Sequence, residues 1–204
     1  MTKAMARPLW MCCLSCCAIA LLPQGGYAQT YPSKPVRLLI PYPPGGASDF
    51  VGRTIAAKLA EQLREQVVID NRGGGGGSIA IEIAANATPD GHTLGSAMTA
   101  QFRINPALYR KLPYDAVRDF APISLMTRSP YLLVVHPSVA AKSLADLVAV
   151  AKAKPGELNH WSTGNGSAPH LSMEMLKTAT GVNMVHVPYK GAGLAWGDFL
   201  SGRV

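Results

Sequence analysis

Val36-Arg37-Leu38-Leu39-Ile40-Pro41-Tyr42-Pro43-Pro44-Gly45-Gly46-Ala47-Ser48-Asp49 is the stretch whose reading decides how this chain folds. An apolar run of strand character, Val36–Ile40, meets a proline-glycine turn, and a helical pattern follows from Phe50 to Leu63. The prolines cannot continue a strand ladder, Gly45 and Gly46 permit positive φ, and Ser48 or Asp49 is suited to cap the helix. Unpaired helix-start amides at such a turn make a ready anion site. A second glycine-rich turn, Ser162-Thr163-Gly164-Asn165-Gly166-Ser167, stands in the same strand-to-helix context later in the chain. Two such turns could face each other across a cleft.

Working outward, strands are expected at Val36–Ile40, Val67–Ile69, Thr93–Ala97, Ile123–Met126, Leu132–Val135, Leu158–Trp161 and Val185–Val187. Helices are expected at Ser48–Leu63, Ser78–Ala87, Leu144–Ala153, Ser167–Thr178 and Gly193–Leu200. The alternation predicts an α/β chain with mainly parallel sheets flanked by helices. Val51, Ile55, Leu59 and Leu63 recur at i, i+4 and are expected to form the buried stripe of the first helix. Pro106, Pro113, Pro122 and Pro130 interrupt the helical alternation, and a new strand-helix series begins at Tyr131. That places a domain boundary near residue 130, giving segments 29–129 and 130–204. Ser201-Gly202-Arg203-Val204 reads as a helix stop followed by the first residue of another strand, so the second unit is expected to be incomplete and the chain a truncated version of a longer protein.

The start of the chain addresses its destination. Lys3 and Arg7 precede an apolar stretch from Leu9 to Leu22, and Gly26-Tyr27-Ala28 offers the small residues that a signal peptidase reads, so residues 1–28 are expected to be removed after Ala28. The stretch falls short of the ~20 apolar residues that span a bilayer. Cys12, Cys13, Cys16 and Cys17 all lie within it. The exported chain therefore has no disulfide, thiolate metal site or cysteine nucleophile.

Net charge is +7 for the whole sequence. The removed segment carries Lys3 and Arg7 and no acid, so a mild basic excess persists in the exported chain and suits acidic ligands. Lys and Arg occur singly, without a basic run or aromatic-interleaved stripe, and no nucleic-acid partner is expected. Gly-x-Ser-x-Gly, Walker and His-Glu-x-x-His motifs are absent from the sequence. His170 and Glu174 fall at i, i+4 on an expected helix, a spacing that serves a helix-surface hydrogen bond more often than a metal, and no metal or cofactor is expected. His136 and His186, each beside a proline or strand end, are expected to be polar caps. Asp49 has two readings: a cap for the first helix, or an acid that orients water or an amine in a cleft. Neither glycine turn holds a second acid for hydrolysis, so no enzyme activity is expected.

Gly75-Gly76-Gly77-Ser78-Ile79-Ala80 supports a rival reading, because Gly-x-Gly-x-x-Ala after a strand and before a helix is a dinucleotide-binding pattern. An exported nucleotide-binding oxidoreductase would follow. Against it, the run follows the second strand, and the acid at suitable range is Asp90 in a Pro-Asp-Gly turn.

The ordered set of motifs resembles the substrate-binding proteins of tripartite tricarboxylate transporters, the Bug family. It comprises Tyr31-Pro32-Ser33-Lys34-Pro35-Val36-Arg37, the Pro43–Asp49 turn, Asn71-Arg72 followed by glycines, Pro89-Asp90-Gly91-His92-Thr93-Leu94, and Leu112-Pro113-Tyr114-Asp115 through Arg118-Asp119-Phe120-Ala121-Pro122. His136-Pro137-Ser138, Lys154-Pro155-Gly156-Glu157-Leu158-Asn159, Gly164-Asn165-Gly166-Ser167 with His170-Leu171, and His186-Val187-Pro188-Tyr189-Lys190-Gly191 complete it. The resemblance implies a type II-like, two-lobed periplasmic binding protein that closes on a small carboxylate and delivers it to the membrane permease subunits of a tripartite transporter. A monomer is expected. It implies ligand contacts at Pro44, Gly45, Gly46, Ala47 and Asp49 on one lobe and at Ser162, Thr163, Gly164, Asn165 and Gly166 on the other; the ends of strands Thr93–Ala97 and Val185–Val187 in parallel sheets point to the same crevice and add Ser96, Thr99 and Tyr189 as lower-ranked contacts. The large Trp161 beside the second turn is expected to alter ligand preference. A truncated derivative that does not bind is the alternative within the family.

Overall fold

In the computed structural model residues 30–204 are described; the expected signal segment, the cleavage expected after Ala28 and the four cysteines lie outside the described residues. Strand β1 (Val36–Ile40) is central in a three-stranded parallel sheet, with β2 (Val67–Asn71) on one side and β3 (Thr93–Gly95) on the other. Leu38 lies opposite both Ile69 and Leu94. Val36, Leu38, Leu39 and Ile40 are all buried, so β1 is covered on both faces, and this explains why it is apolar apart from Arg37, which pairs with Asp70. Helix α1 (Ala47–Leu63) returns from β1 to β2, and α2 (Ser78–Ala85) from β2 to β3. A π-helical turn (Ala100–Ile104) then runs into the short α3 (Asn105–Leu108).

The second sheet pairs β4 (Asn159–Ser162) with β5 (Val185–Pro188), again in parallel, with Ser162 opposite Pro188. Helix α4 (Leu144–Ala153) precedes it, α5 (Ala168–Thr180) crosses between its strands, and α6 (Ala192–Leu200) follows. Ser143 caps α4 by accepting from the Asp146 amide at 3.2 Å. Ser167 does the same for α5 through the His170 amide, and Gly181 ends α5 in the left-handed conformation. Each sheet has its own core: Leu38, Ile40 and Ala56 in the first, Ala151, Val182 and Met184 in the second.

Two expectations are corrected. Val51, Ile55, Leu59 and Leu63 are only half-buried, and α1 meets the sheet instead through Gly52 and Ala56. A Cβ at Gly52 would stand 2.5 Å from Ile40 Cδ1, so the helix axis lies closer to the sheet than a leucine stripe would allow. Second, Ile123–Met126 and Leu132–Val135 form no strand. Their apolar, β-branched content is right for strands, but a strand exists only through ladder bonds to a neighbour, and no described segment pairs with either. Ile123, Leu125, Leu132 and Val134 are exposed along an open apolar hollow of about 2910 Å³ that Val51, Ile55 and Leu59 also line. The preceding residues are held better: Phe120 packs edge-on against Phe102 and Tyr114, and the Tyr114 hydroxyl donates to the Gln101 carbonyl at 2.8 Å.

Candidate functional site

In the turn after β1 the Gly45 amide is satisfied from within, while those of Gly46, Ala47 and Ser48 have no acceptor among the described residues. Gly46 rather than Ser48 or Asp49 is the N-cap of α1, and Asp49, inside the first turn of the helix, reaches back to accept from the Gly45 amide at 3.1 Å. The same carboxylate accepts from Arg53 Nε at 3.0 Å and Asn71 Nδ2 at 3.0 Å, and Asn71 also donates to the Tyr42 carbonyl. These donors, Arg53 foremost, hold the Asp49 carboxyl below the usual carboxylate range. Of the two roles considered for Asp49, the geometry supplies the structural one.

This turn packs against the start of α6. A Cβ on Gly193 would lie 2.6 Å from the Pro44 carbonyl oxygen, and one on Gly191 would lie 2.9 Å from Pro43 Cδ. Only glycine lets the two backbones approach this closely. Gly46 and Ala47 border the large hollow, together with Ser96 and the exposed Thr99. Ser96 is buried, with its amide bound to the Leu39 carbonyl.

The turn after β4 has a different neighbour. Thr163, Gly164 and Asn165 face the glycine run Gly74–Gly77, and between them lies a cavity of about 240 Å³ whose wall also includes Tyr42, Tyr109, Pro188, Tyr189 and Lys190. A Cβ added to Gly76 would come within 3.5 Å of the Asn165 carbonyl oxygen. Gly74, Gly75, Gly76 and Gly77 all have positive φ, at 118°, 57°, 63° and 88°, a sequence of conformations that other L-residues adopt only under strain. Gln101, fully buried, fixes this run by donating to the Gly76 carbonyl at 2.6 Å and to the Tyr42 hydroxyl at 3.2 Å. Burial pushes the Tyr42 phenol above its ordinary pKa, so it stays a neutral hydrogen-bonding group.

Within the second turn Ser162 Oγ bonds the Gly164 amide at 3.1 Å and His186 Nε2 at 2.7 Å, while the Gly166 amide donates to His170 Nδ1 at 3.2 Å. Behind the turn His170, His186 and His160 form a stack, with ring centroids 4.2 and 5.0 Å apart. Both ring nitrogens of buried His160 lack a hydrogen-bond partner. Burial, and then the neighbouring His186, lower its pKa to about 4. Glu174 turns to Lys177 at 2.7 Å, so the His170 and Glu174 pair does not converge on a common point. The second turn thus rests on a stack of imidazoles, and His186 is part of that support rather than a simple strand cap. His136 does cap its turn, with Nδ1 2.8 Å from Ser138 Oγ.

Electrostatically the small cavity is suited to an anion. Lys190 is the only charged residue among those that line it. The backbone amides of Gly74, Gly75, Thr163 and Asn165 have no acceptor among the described residues. Tyr189 contributes its ring, since its hydroxyl donates to Asp198 Oδ2 at 2.7 Å. Trp161 points elsewhere, packing on Trp196 and Phe199 at 5.7 and 6.3 Å, and so holds α6 to β4. Gly166 lies behind the cavity, beside Leu108 and Asn105.

The structure therefore brings Thr163, Gly164, Asn165 and Tyr189 together with a wall that the sequence reading did not choose. Gly74–Gly77 follow the C-terminal end of β2, and the rule that ligands bind beyond the carboxyl ends of parallel strands would have pointed there. No local signal singles out Tyr109. The rival dinucleotide reading fails on topology, since Asp90 precedes β3 and is paired with Lys34 at 2.9 Å, at the end of the parallel sheet opposite the glycine run.

Residues 51–204 match the model of the tripartite tricarboxylate transporter family receptor. The chain is 37% identical over 178 residues to BugT of Bordetella pertussis, covering 87% of this chain and 55% of that one. An R. palustris protein solved with adipate matches with a TM-score of 0.82 at 39% identity, and MatC from Rhodopseudomonas palustris with bound malate matches with a TM-score of 0.79 at 32%. Each alignment covers 85% of this chain, and 58% and 59% of those chains respectively. The chain thus spans little more than half the length of the relatives it matches.

Proposed function

Because the chain belongs to the tripartite tricarboxylate transporter receptor family, whose members are solute-binding proteins rather than enzymes, we propose that it captures a small carboxylate in the cavity between Gly74–Gly77 and Thr163–Asn165. One observation carries the reading. Two strand-end turns, one from each sheet, line a space together with one cation and no acid, and the Gly74, Gly75, Thr163 and Asn165 amides of those turns have no acceptor among the described residues. Backbone amides make charge-assisted bonds to a carboxylate at no cost in side-chain entropy. A volume of about 240 Å³ is below the roughly 300–1,000 Å³ of drug-sized pockets and suits a metabolite of a few carbons. The adipate and malate in the two similar structures are such molecules. In this reading the first turn, Pro44–Asp49, seats α6 and through it the β5 end of the cavity.

The biological role that follows is a periplasmic receptor, exported by the segment ending at Ala28, which hands its ligand to membrane permease subunits. No helix among the described residues is long and apolar enough to cross a membrane. Thermal melts of the chain with adipate, malate and further small carboxylates test the binding step. A ligand at ~100 times its dissociation constant adds ~2.7 kcal/mol. A raised melting temperature with one acid and not with its amide is the expected result. No shift with any carboxylate would remove the proposal.

A further inference from the structure

We propose that Lys190 reads the far end of the ligand, so that the cavity discriminates dianionic carboxylates from monoanionic ones of the same length; this inference rests on the carboxylate reading above. The amides of the two glycine turns can neutralise one carboxylate group, but they are short and fixed. A second carboxylate in the same cavity needs its own counter-charge, and Lys190 is the only charged residue in the wall.

The framework around Lys190 is built on both sides. Tyr189 is anchored by its amide to the Ser162 carbonyl at 3.0 Å and by its hydroxyl to Asp198. Gly191 is set against Tyr42 and Pro43, leaving no room for a Cβ. The backbone of Lys190 is therefore held between two fixed points while its side chain stays exposed and forms no ion pair among the described residues. The acid closest in chain position, Asp198, is engaged by Tyr189 and by Arg203 at 3.0 Å, so it is not available to neutralise the ammonium. A lysine also fits the task better than arginine would. Its flexible stem carries a compact charge to carboxylates at different distances, whereas a guanidinium demands one planar geometry.

The experiment is calorimetric titration of the full chain, wild type and two variants, with two length-matched pairs: adipate with hexanoate, and succinate with butyrate. For whichever pair binds, the wild type is expected to favour the dianion at least tenfold. Lys190→Met should weaken the dianion at least tenfold, leave the monoanion within twofold, and flatten the salt dependence of dianion binding. Lys190→Arg should keep most of the preference. If the wild type binds both members of a pair equally, or if Lys190→Met weakens both or neither, the role of Lys190 is overturned while the carboxylate site stands. If the wild type binds none of the four acids, the carboxylate reading fails for these ligands and the inference falls with it.

Discussion

The turn between β1 and α1 and the turn between β4 and α5 are built from the same residue types at the same place in a parallel unit, yet their surroundings differ. In the first, Asp49 takes the Gly45 amide, Arg53 and Asn71, and the start of α6 lies against Pro43 and Pro44, while the Gly46, Ala47 and Ser48 amides border the wide apolar hollow without an acceptor among the described residues. The second keeps the Thr163 and Asn165 amides unpartnered beside a cavity, and its support is a stack of histidines. A bare strand-to-helix turn is an anion site only if its neighbour leaves room for the anion. That neighbour is chosen by packing between elements far apart in the chain.

The largest effect is expected from the wall opposite the second turn. In Gly77→Ala the new Cβ would lie 2.2 Å from Gln101 Nε2 at a φ of 88°. Left-handed strain of roughly 1–2 kcal/mol joins an overpacking cost of roughly 1–3 kcal/mol. Denaturant unfolding should show a loss of about 3 kcal/mol, and carboxylate binding should vanish with the displaced Gly76–Gln101 bond. An unchanged midpoint would mean that Gln101 moves aside easily and the glycine run is not a fixed wall.

Acid should separate the two turns next. His160 has a folded-state pKa of about 4, below the ~6.5 of an unfolded histidine. Above pH 6.5 both states are neutral and stability is full; as pH falls from 6.5 towards 4 the unfolded state gains a proton that the folded state refuses, and stability drops. Burial and then His170 lower the pKa of His186, which adds in the same direction. Lys177 and the other histidines oppose a charge on His160, and Glu174 favours it. For His160 alone the loss is at most about 3 kcal/mol. Urea unfolding at pH 7.5 and 4.5 measures it, and His160→Phe should flatten most of the slope. Asp49 obeys the opposite window: its lowered pKa gives stability that is present above about pH 4 and lost only below it. A protein equally stable at both pH values would show that the histidine stack is not buried in solution.

Smaller again is the effect of opening the first turn. Asp49→Ala removes the acceptor shared by Gly45, Arg53 and Asn71 and should cost about 2 kcal/mol, because one acceptor in the set is charged. Carboxylate affinity should fall less than twofold at temperatures where the variant is folded. A loss comparable to that of Gly77→Ala would put the first turn in the site itself. Gly46→Ala is the mildest test, since its Cβ would meet only Ala192 and Gly193 at 3.9 Å. Stability within about 0.5 kcal/mol of wild type and unchanged binding are expected.

Local pattern carried most of the secondary structure. Val36–Ile40 and Leu144–Ala153 were legible to the residue. Helix α5, expected at Ser167–Thr178, lies at Ala168–Thr180. Ile123–Met126 and Leu132–Val135 carried an equally good strand signal and form none. Of the cavity wall, Thr163, Gly164, Asn165 and Tyr189 were named from the sequence; the facing Gly74–Gly77 were not, since they resemble a flexible turn until Gln101 is seen to hold them.

By itself the sequence determined the alternation of strands and helices, the parallel arrangement, the basic balance and the two glycine turns. These depend on residue periodicity, φ preferences and charge, all properties of short segments. Only the tertiary structure decided that α1 rests on Gly52 and Ala56, that Asp49 is consumed by its own turn, and that Thr163–Asn165 face the glycine run with Lys190 in the wall. Those facts depend on which distant backbones approach within a few ångströms, and close approach is settled by the packing of whole elements rather than by the preferences of any one of them.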